Sequence, residues 1–191
     1  MLKPVIALIV FFQILIRRLR MQGLRTTLSW LYTVGVAKLT GRVSLRYSRI
    51  TPHVYIGPQF GRRGKPAFER ANIRASVNLR SEFDDEAHGL ALADYIHLPV
   101  DDNTAPSMET LEKGVAFIRG VTERGENVYV HCGSGVGRAP TLAAAYLVAE
   151  GATVDQAVAR IQEVRPFVRI LPDQMARLRE YERHLHTITS E

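Results

Sequence analysis

Short apolar runs that suit β-strands alternate with helical runs from residue 43 onward. The strand candidates are VYIG (54–57), SVNL (76–79), YIHLPV (95–100) and NVYVHC (127–132). Helical spacing occupies the segments between them, near residues 66–72, 84–93 and 107–124. This alternation predicts an α/β fold with a central, mostly parallel sheet of about four to five strands flanked by helices.

Three further helices are predicted after the last strand. The first is the alanine- and leucine-rich run APTLAAAYLVAEG (139–151). The second begins at a capping box formed by Thr153 and Gln156, and the third covers about residues 172–186. Because ligands bind at the carboxyl ends of strands in such sheets, we expect the functional site just beyond Cys132.

The first 42 residues have a different pattern. The apolar run PVIALIVFFQILI (4–16) is followed at once by RRLR, and a second apolar helix is predicted over 23–39. A bilayer-spanning helix needs roughly 20 apolar residues, so the first run is short for a simple span. Its position before the arginines does not suit a signal peptide. We expect an N-terminal helical, membrane-associating arm (residues 1–42) and one globular domain (residues 43–188).

The charge is divided unequally along the chain. The protein has 191 residues and a net charge of +6, but residues 1–68 contain 12 of the 25 Lys and Arg and no acidic residue. Basic side chains beside apolar runs favour binding to an anionic membrane surface through residues 1–40, with the domain on the cytoplasmic side. The alternative is that these helices pack on the domain. A nucleic-acid partner is not expected, because aromatic residues are not interleaved with the basic ones in an exposed-looking segment.

The segment VYVHCGSGVGRAPT (128–141) holds the only cysteine, which therefore forms no internal disulfide. Glycine alternates through the loop at Gly133, Gly135 and Gly137, and each glycine permits a positive φ. Backbone N–H groups can then converge on one anion at the start of the following helix, where the helix dipole adds positive potential. Arg138 can close over the same anion with its two-pronged guanidinium, so the loop suits a phosphate.

The same positive potential favours the thiolate of Cys132 over the thiol, which makes the sulfur a nucleophile rather than a small core residue. Backbone amides and Arg138 supply the charge stabilisation, so no metal or other cofactor is expected. The loop does not end in Gly-Lys-Ser/Thr, and a nucleotide-binding P-loop is therefore excluded.

The sequence HCGSGVGRAPT (131–141) resembles the phosphate-binding loop of the cysteine-dependent protein tyrosine phosphatase superfamily, in its dual-specificity branch. The resemblance extends over residues 43–188 and is strong from 95 to 150. It implies that Cys132 is the nucleophile and that Arg138 binds the phosphate. It also implies that further residues of the loop bind the phosphate, namely Gly133, Ser134, Gly135, Val136 and Gly137. His131 and Thr141 are expected to support the site without binding the phosphate themselves.

This family also implies a general acid on a loop upstream of the cysteine. The segment LPVDDN (98–103) lies where that loop is expected, and we choose Asp102 over Asp101 by analogy with related phosphatases. The alternative is that both carboxylates only begin the next turn. For Gln174 we expect a position on the helix surface rather than in the pocket. Arg165 and Arg169 are either the rim of the site or ordinary surface charge.

The chain departs from the family pattern at one position. Many relatives have Ser or Thr directly after the loop arginine, where the hydroxyl can ease departure of the thiolate, whereas this chain has Ala139. Slow turnover is therefore one expectation. If turnover were negligible, the protein would instead be a scaffold module that binds phosphate groups, and Ala139 makes this a third hypothesis.

Two substrate classes follow from the resemblance. The leading hypothesis is a membrane-tethered phosphatase that acts on phosphotyrosine, and also on phosphoserine or phosphothreonine, in proteins. The alternative is a phospholipid headgroup, because the segments 46–60 and 165–178 resemble the mitochondrial lipid-phosphate phosphatase of this superfamily. Against the alternative, the loop interior lacks the extra cation that lipid-phosphate members often carry.

Overall fold

A four-stranded, fully parallel sheet forms the centre of the protein. The structure is a computed structural model that describes the backbone of residues 2–189 and the side chains of residues 11–187. Its strands follow the order β1-β4-β2-β3, so β4 lies inside the sheet. The strands are β1 (Val54–Pro58), β2 (Ile73–Arg80), β3 (Asp94–Val100) and β4 (Asn127–Cys132). The predicted parallel sheet is confirmed, as is the interior position of the strand that ends at Cys132.

Within residues 2–189, six α-helices accompany the sheet. They are α1 (Leu2–Thr40), α2 (Lys65–Arg70), α3 (Met108–Glu123), α4 (Arg138–Ala149), α5 (Val154–Val164) and α6 (Pro172–Thr189). Helix α4 is buried along most of its length because α3, α5 and α6 all pack against it. Two predicted starts are confirmed, since Ser107 caps α3 and the capping box of Thr153 and Gln156 opens α5.

Successive side chains of β4 point to opposite faces of the sheet. Val128, Val130 and Cys132 belong to the main core beneath α3 to α6, whereas Tyr129 belongs to a second core with Phe60 and Phe68. Both β4 faces are therefore buried, which explains the nearly continuous run of apolar and aromatic residues in this strand.

The predicted helix over 84–93 is wrong, because this segment forms consecutive turns. The turns surround Asp85, whose main-chain oxygen accepts hydrogen bonds from the backbone of His88 and Leu90. Gly89 has a φ of +65°, which a continuing helix does not allow. Burial of the Asp85 side chain, which is fully enclosed, overrides the local helical pattern.

Helix α1 consists of two helical segments that meet at a kink. Gly23 lies at the kink with φ 77° and ψ 170°, far from helical values. The two segments lie against each other, since the rings of Phe11 and Trp30 stack with centroids 6.5 Å apart. The second segment packs on the domain through Trp30 and Val34, which are buried against Phe167. The sequence analysis gave packing of these helices on the domain as an alternative, and this part of α1 has that arrangement. The boundary between arm and domain at residue 42 stays a prediction.

The outer surface of α1 is apolar. Eleven large apolar side chains are exposed among those that the structure describes, and all of them lie between Phe11 and Leu39. No helix within the described part of the chain is both long enough and apolar enough to cross a membrane. The first part of the predicted apolar run 4–16 lies outside the described side chains.

Candidate active site

The loop between β4 and α4 makes one tight turn around the cysteine. Each of its three glycines permits a positive φ, and Gly135 is the one that adopts it, at +65°. A Cβ on Gly135 would lie 2.3 Å from the main-chain carbon of Gly57. Glycine is therefore required here for two reasons, the backbone conformation and the contact with β1.

Cys132 lies at the base of this loop and at the amino end of α4. Its side chain is buried, and its Sγ accepts a hydrogen bond from the backbone N–H of Gly135 at 3.3 Å. The amide and the start of α4 place partial positive charge around the sulfur.

Arg138 is the first residue of α4 and is held rigidly by two elements of the sheet. Its Nη1 donates to the main-chain oxygens of Val100 at 2.8 Å and Leu79 at 3.3 Å, at the ends of β3 and β2. Glu82 accepts from both terminal nitrogens, at 2.9 and 3.1 Å. The buried Nε has no hydrogen-bond partner among the described residues, so this donor is free for a ligand.

The contact between Arg138 and Glu82 shifts both groups toward their charged forms. The hydrogen bond from Arg138 lowers the pKa of Glu82 to about 2. Burial lowers the pKa of Arg138, but the Glu82 hydrogen bond and the charges of Cys132 and Asp102 outweigh it and raise the pKa above its usual value. The ion pair therefore persists throughout the neutral range and fixes the orientation of the guanidinium.

Arg165 lies beneath the loop, contrary to the expectation of a rim or surface position. Its side chain is fully buried and donates to the main-chain oxygens of Gly135 at 2.7 Å, Ser134 at 3.3 Å and Tyr47 at 2.9 Å. Burial lowers its pKa to about 10, so it stays charged at neutral pH. By binding two loop carbonyls, Arg165 fixes the backbone of the loop.

The two aspartates of the loop after β3 differ in position. Asp102 lines the cavity that contains Cys132, and its Oδ1 lies 3.1 Å from Nη2 of Arg138. Its side chain is 71% exposed, so the carboxyl is also open to solvent. Asp101 does not line this cavity, and its main-chain oxygen accepts from Thr104 in the turn. The geometry favours Asp102 as the carboxyl that can reach a bound ligand.

Gln174 ties the Asp102 loop to the rest of the site. The expectation that it lies on the helix surface is wrong, since Gln174 is buried and lines the cavity. Its Nε2 donates to the main-chain oxygen of Thr104 at 2.9 Å, and its Oε1 accepts from the backbone of Leu171. The side chain therefore links α6 to the loop that carries Asp102.

The predicted supporting residues make contacts other than those with the sulfur. The His131 Nε2 lies 2.8 Å from Oδ2 of buried Asp85, in an orientation that does not meet hydrogen-bond geometry. Because His131 precedes Cys132 on β4, its ring points to the opposite face of the sheet and packs against Phe60. The Thr141 hydroxyl donates to the main-chain oxygen of Gly137 at 2.9 Å, and so supports the end of the loop.

A cavity of about 680 Å³ opens over the loop, which is large enough for a substrate with several functional groups. Five basic side chains and one carboxylate, Asp102, line it. Two of the basic residues, Arg138 and Arg169, come from the domain, and three, Arg17, Arg18 and Lys38, come from α1. The cavity is therefore strongly cationic, and α1 forms part of its wall.

The sequence interpretation missed Glu82 and Asp85 and misplaced Arg165. Glu82 could have been found from the sequence. It follows the end of β2 just as Asp102 follows the end of β3, and the ends of these two parallel strands lie at the same edge of the sheet. No sequence pattern points to Arg165 or Asp85. Arg165 binds main-chain oxygens of the loop, and Asp85 lies beside the side chain of His131, which is distant in sequence.

A buried cysteine at the amino end of α4, with an arginine and a carboxylate lining the same cavity, is the arrangement of a cysteine-dependent phosphatase. The family model of the dual specificity phosphatase catalytic domain matches residues 54–184, and the chain belongs to this family.

The relatives agree with this assignment. The human phosphatidylglycerophosphatase and protein-tyrosine phosphatase 1 is 29% identical over 81% of this chain and 83% of its own length. The rat protein phosphatase Slingshot homolog 3 is 29% identical over 72% of this chain, which spans about a fifth (21%) of that protein.

Solved structures share the fold. The active form of Tk-PTP has a TM-score of 0.64 at 27% identity and covers 71% of this chain and 95% of its own. The complex of PTPMT1 with PI(5)P has a TM-score of 0.66 at 23% identity, with 74% and 97% covered.

Proposed function

We propose that this protein hydrolyses phosphotyrosine in proteins, with phosphoserine and phosphothreonine as further substrates, through a phosphocysteine intermediate. The observation that carries the proposal is that Cys132, Asp102 and Arg138 line one cationic cavity, with the Nε of Arg138 unpaired among the described residues. The substrate class is supported by the dual-specificity family and by relatives named as protein phosphatases.

In the proposed reaction the phosphate binds to the N–H groups of the loop from Gly133 to Gly137 and to Arg138. The sulfur of Cys132 attacks phosphorus and forms the S–P bond, while the P–O bond to the leaving group breaks. Asp102 gives its proton to the leaving oxygen. A water molecule then attacks the phosphorus of the phosphocysteine and gives a proton to the Asp102 carboxylate, while the S–P bond breaks; inorganic phosphate is released and the thiolate is restored. Arg165, Glu82 and Gln174 act as positioning residues in this scheme.

A phosphomonoester on a phospholipid headgroup is the second candidate substrate. Two observations favour it: the human relative is named as both a phosphatidylglycerophosphatase and a protein-tyrosine phosphatase, and the exposed apolar surface of α1 adjoins the cavity. The low-turnover scaffold remains an outcome of the test below.

The full-length protein is expected to hydrolyse an aryl phosphate and a phosphotyrosine peptide, and to keep this activity in the presence of a metal chelator. A parallel assay with a short-chain lipid phosphomonoester measures the second candidate. Released inorganic phosphate is the readout in all assays. Binding of inorganic phosphate without any turnover would reject both enzymatic proposals and support the scaffold.

We also propose that α1 holds the protein at an anionic membrane surface with the domain in the cytoplasm. The double variant Leu24→Glu and Leu28→Glu is expected to weaken binding to anionic vesicles by more than about 10-fold. It removes two exposed apolar side chains and adds two charges that anionic lipid repels. Co-sedimentation with vesicles measures the effect, and vesicles of neutral lipid are the control. Unchanged sedimentation of the variant with anionic vesicles would contradict the proposal.

A further inference from the structure

A group of arginines in the cavity wall is separate from the phosphate loop. Arg18 from α1 and Arg169 from the segment before α6 line the same cavity as Cys132, and Arg17 lies beside them. Among the described residues, no carboxylate lies within ion-pair distance of any of these three side chains. Like charges held together without a counter-ion destabilise the protein unless an anion binds between them.

The structure holds Arg18 in place despite this repulsion. Its guanidinium stacks on Trp30 at 4.5 Å from the ring centroid, and its Nη1 donates to Gln22 at 2.8 Å and to the main-chain oxygen of Phe167 at 3.2 Å. Its Nε is buried and has no partner among the described residues. Burial and the charge of Arg169 together lower the pKa of Arg18 to about 10, so it remains charged at neutral pH.

The position of Arg18 is coupled to the phosphate loop itself. Trp30, on which it stacks, is buried in a cluster with Phe167 that also contacts Val136 of the loop. The backbone of Arg169 donates to the main-chain oxygen of Val136 at 2.7 Å. The same short segment therefore positions the loop and both arginines, so that one ligand can reach both places.

We infer that Arg18 and Arg169 form a second anion-binding subsite, which takes the phosphodiester of a phospholipid whose phosphomonoester lies at Cys132. A phospholipid is favoured over a doubly phosphorylated peptide because α1 places exposed apolar side chains, Ile14 and Met21, in the wall of this cavity. Acyl chains continue from the phosphodiester and would contact these side chains. The inference rests on the lipid activity proposed above.

The test compares two substrates whose phosphate leaves from the same kind of oxygen, a primary hydroxyl of glycerol. Dihexanoyl phosphatidylglycerophosphate carries a phosphomonoester and a phosphodiester, whereas glycerol 3-phosphate carries the phosphomonoester alone. Substitutions Arg18→Gln and Arg169→Gln are each expected to lower the ratio of kcat/KM for the lipid to kcat/KM for glycerol 3-phosphate by about 10-fold, because each removes a charged hydrogen-bond donor to the diester. Arg18→Lys is expected to restore part of the loss, since it keeps the charge.

The matched control is Arg25→Gln, which removes an exposed arginine of α1 outside the cavity. An equal fall in the ratio for Arg25→Gln would assign the effect to the overall charge and overturn the inference. An unchanged ratio in both Arg18→Gln and Arg169→Gln would also overturn it. Arg169 is exposed, so its substitution tests the inference even if Arg18→Gln does not fold. A loss confined to a peptide with two phosphotyrosines would assign the subsite to peptides instead. Absence of lipid turnover in the wild-type protein would reject the lipid activity, independently of the aryl phosphate assay.

Discussion

Replacing Cys132 with serine is expected to reduce phosphatase activity by more than about 10⁴-fold, a loss of the size seen when other enzymes lose a covalent nucleophile. Serine has the same shape as cysteine, but its hydroxyl does not ionise near neutral pH. The partial positive charge that the Gly135 amide and the start of α4 place at this position is too weak to produce an alkoxide from serine. The measurement is release of inorganic phosphate from an aryl phosphate and from a phosphotyrosine peptide.

Phosphate binding serves as the control for this variant. The loop amides and Arg138 are unchanged in Cys132→Ser, so calorimetric titration with inorganic phosphate should still show binding. Residual turnover within about 10-fold of wild type would mean that Cys132 is not the nucleophile, since the covalent route contributes far more than this.

Replacing Asp102 with alanine is expected to lower kcat by roughly 10²- to 10⁴-fold on substrates with a poor leaving group, because the leaving oxygen then departs without a proton. Phosphoserine peptides belong to this class. On an aryl phosphate with a strongly acidic phenol the loss should be much smaller, since that leaving group needs no proton. Binding should change little, because Asp102 is largely exposed and its described contacts are with one edge of Arg138 and with the side chain of Asn103.

Asp101→Ala is the matched control, since Asp101 lies next in sequence but outside the cavity. It removes the same charge from the same loop and should leave the dependence on leaving group intact. A larger loss in Asp101→Ala than in Asp102→Ala would reverse the assignment of the general acid. An equal loss on both kinds of substrate in Asp102→Ala would indicate that Asp102 holds the loop and does not donate the proton.

Much of the site could be predicted because its parts are adjacent in sequence. Cys132 and Arg138 lie at the two ends of one loop, and the loop geometry follows from local glycine and helix chemistry. Even there, the sequence did not distinguish the glycine that needs a positive φ. In the folded protein this glycine is Gly135, which lies against Gly57, a residue 78 positions away in the sequence.

Polar residues that serve the site from other elements could not be placed in this way. Glu82, Arg165 and Gln174 are all charged or polar, and the partner that ties each of them to the site lies far away in the sequence. In the sequence they look like ordinary surface residues. Only the folded structure shows that Arg165 binds the main chain of the Cys132 loop and that Gln174 binds the loop that carries Asp102.

By itself the sequence predicted the four strands, most of the helices and the glycine-rich loop that joins Cys132 to Arg138, because periodicity and loop chemistry act over a few neighbouring residues. The tertiary structure decided which charges surround that loop. It placed Glu82 on Arg138, Arg165 under the loop and Arg18 of the N-terminal arm in the cavity wall. These contacts join segments far apart in the chain, and the burial that makes them strong exists only after the sheet and helices have packed.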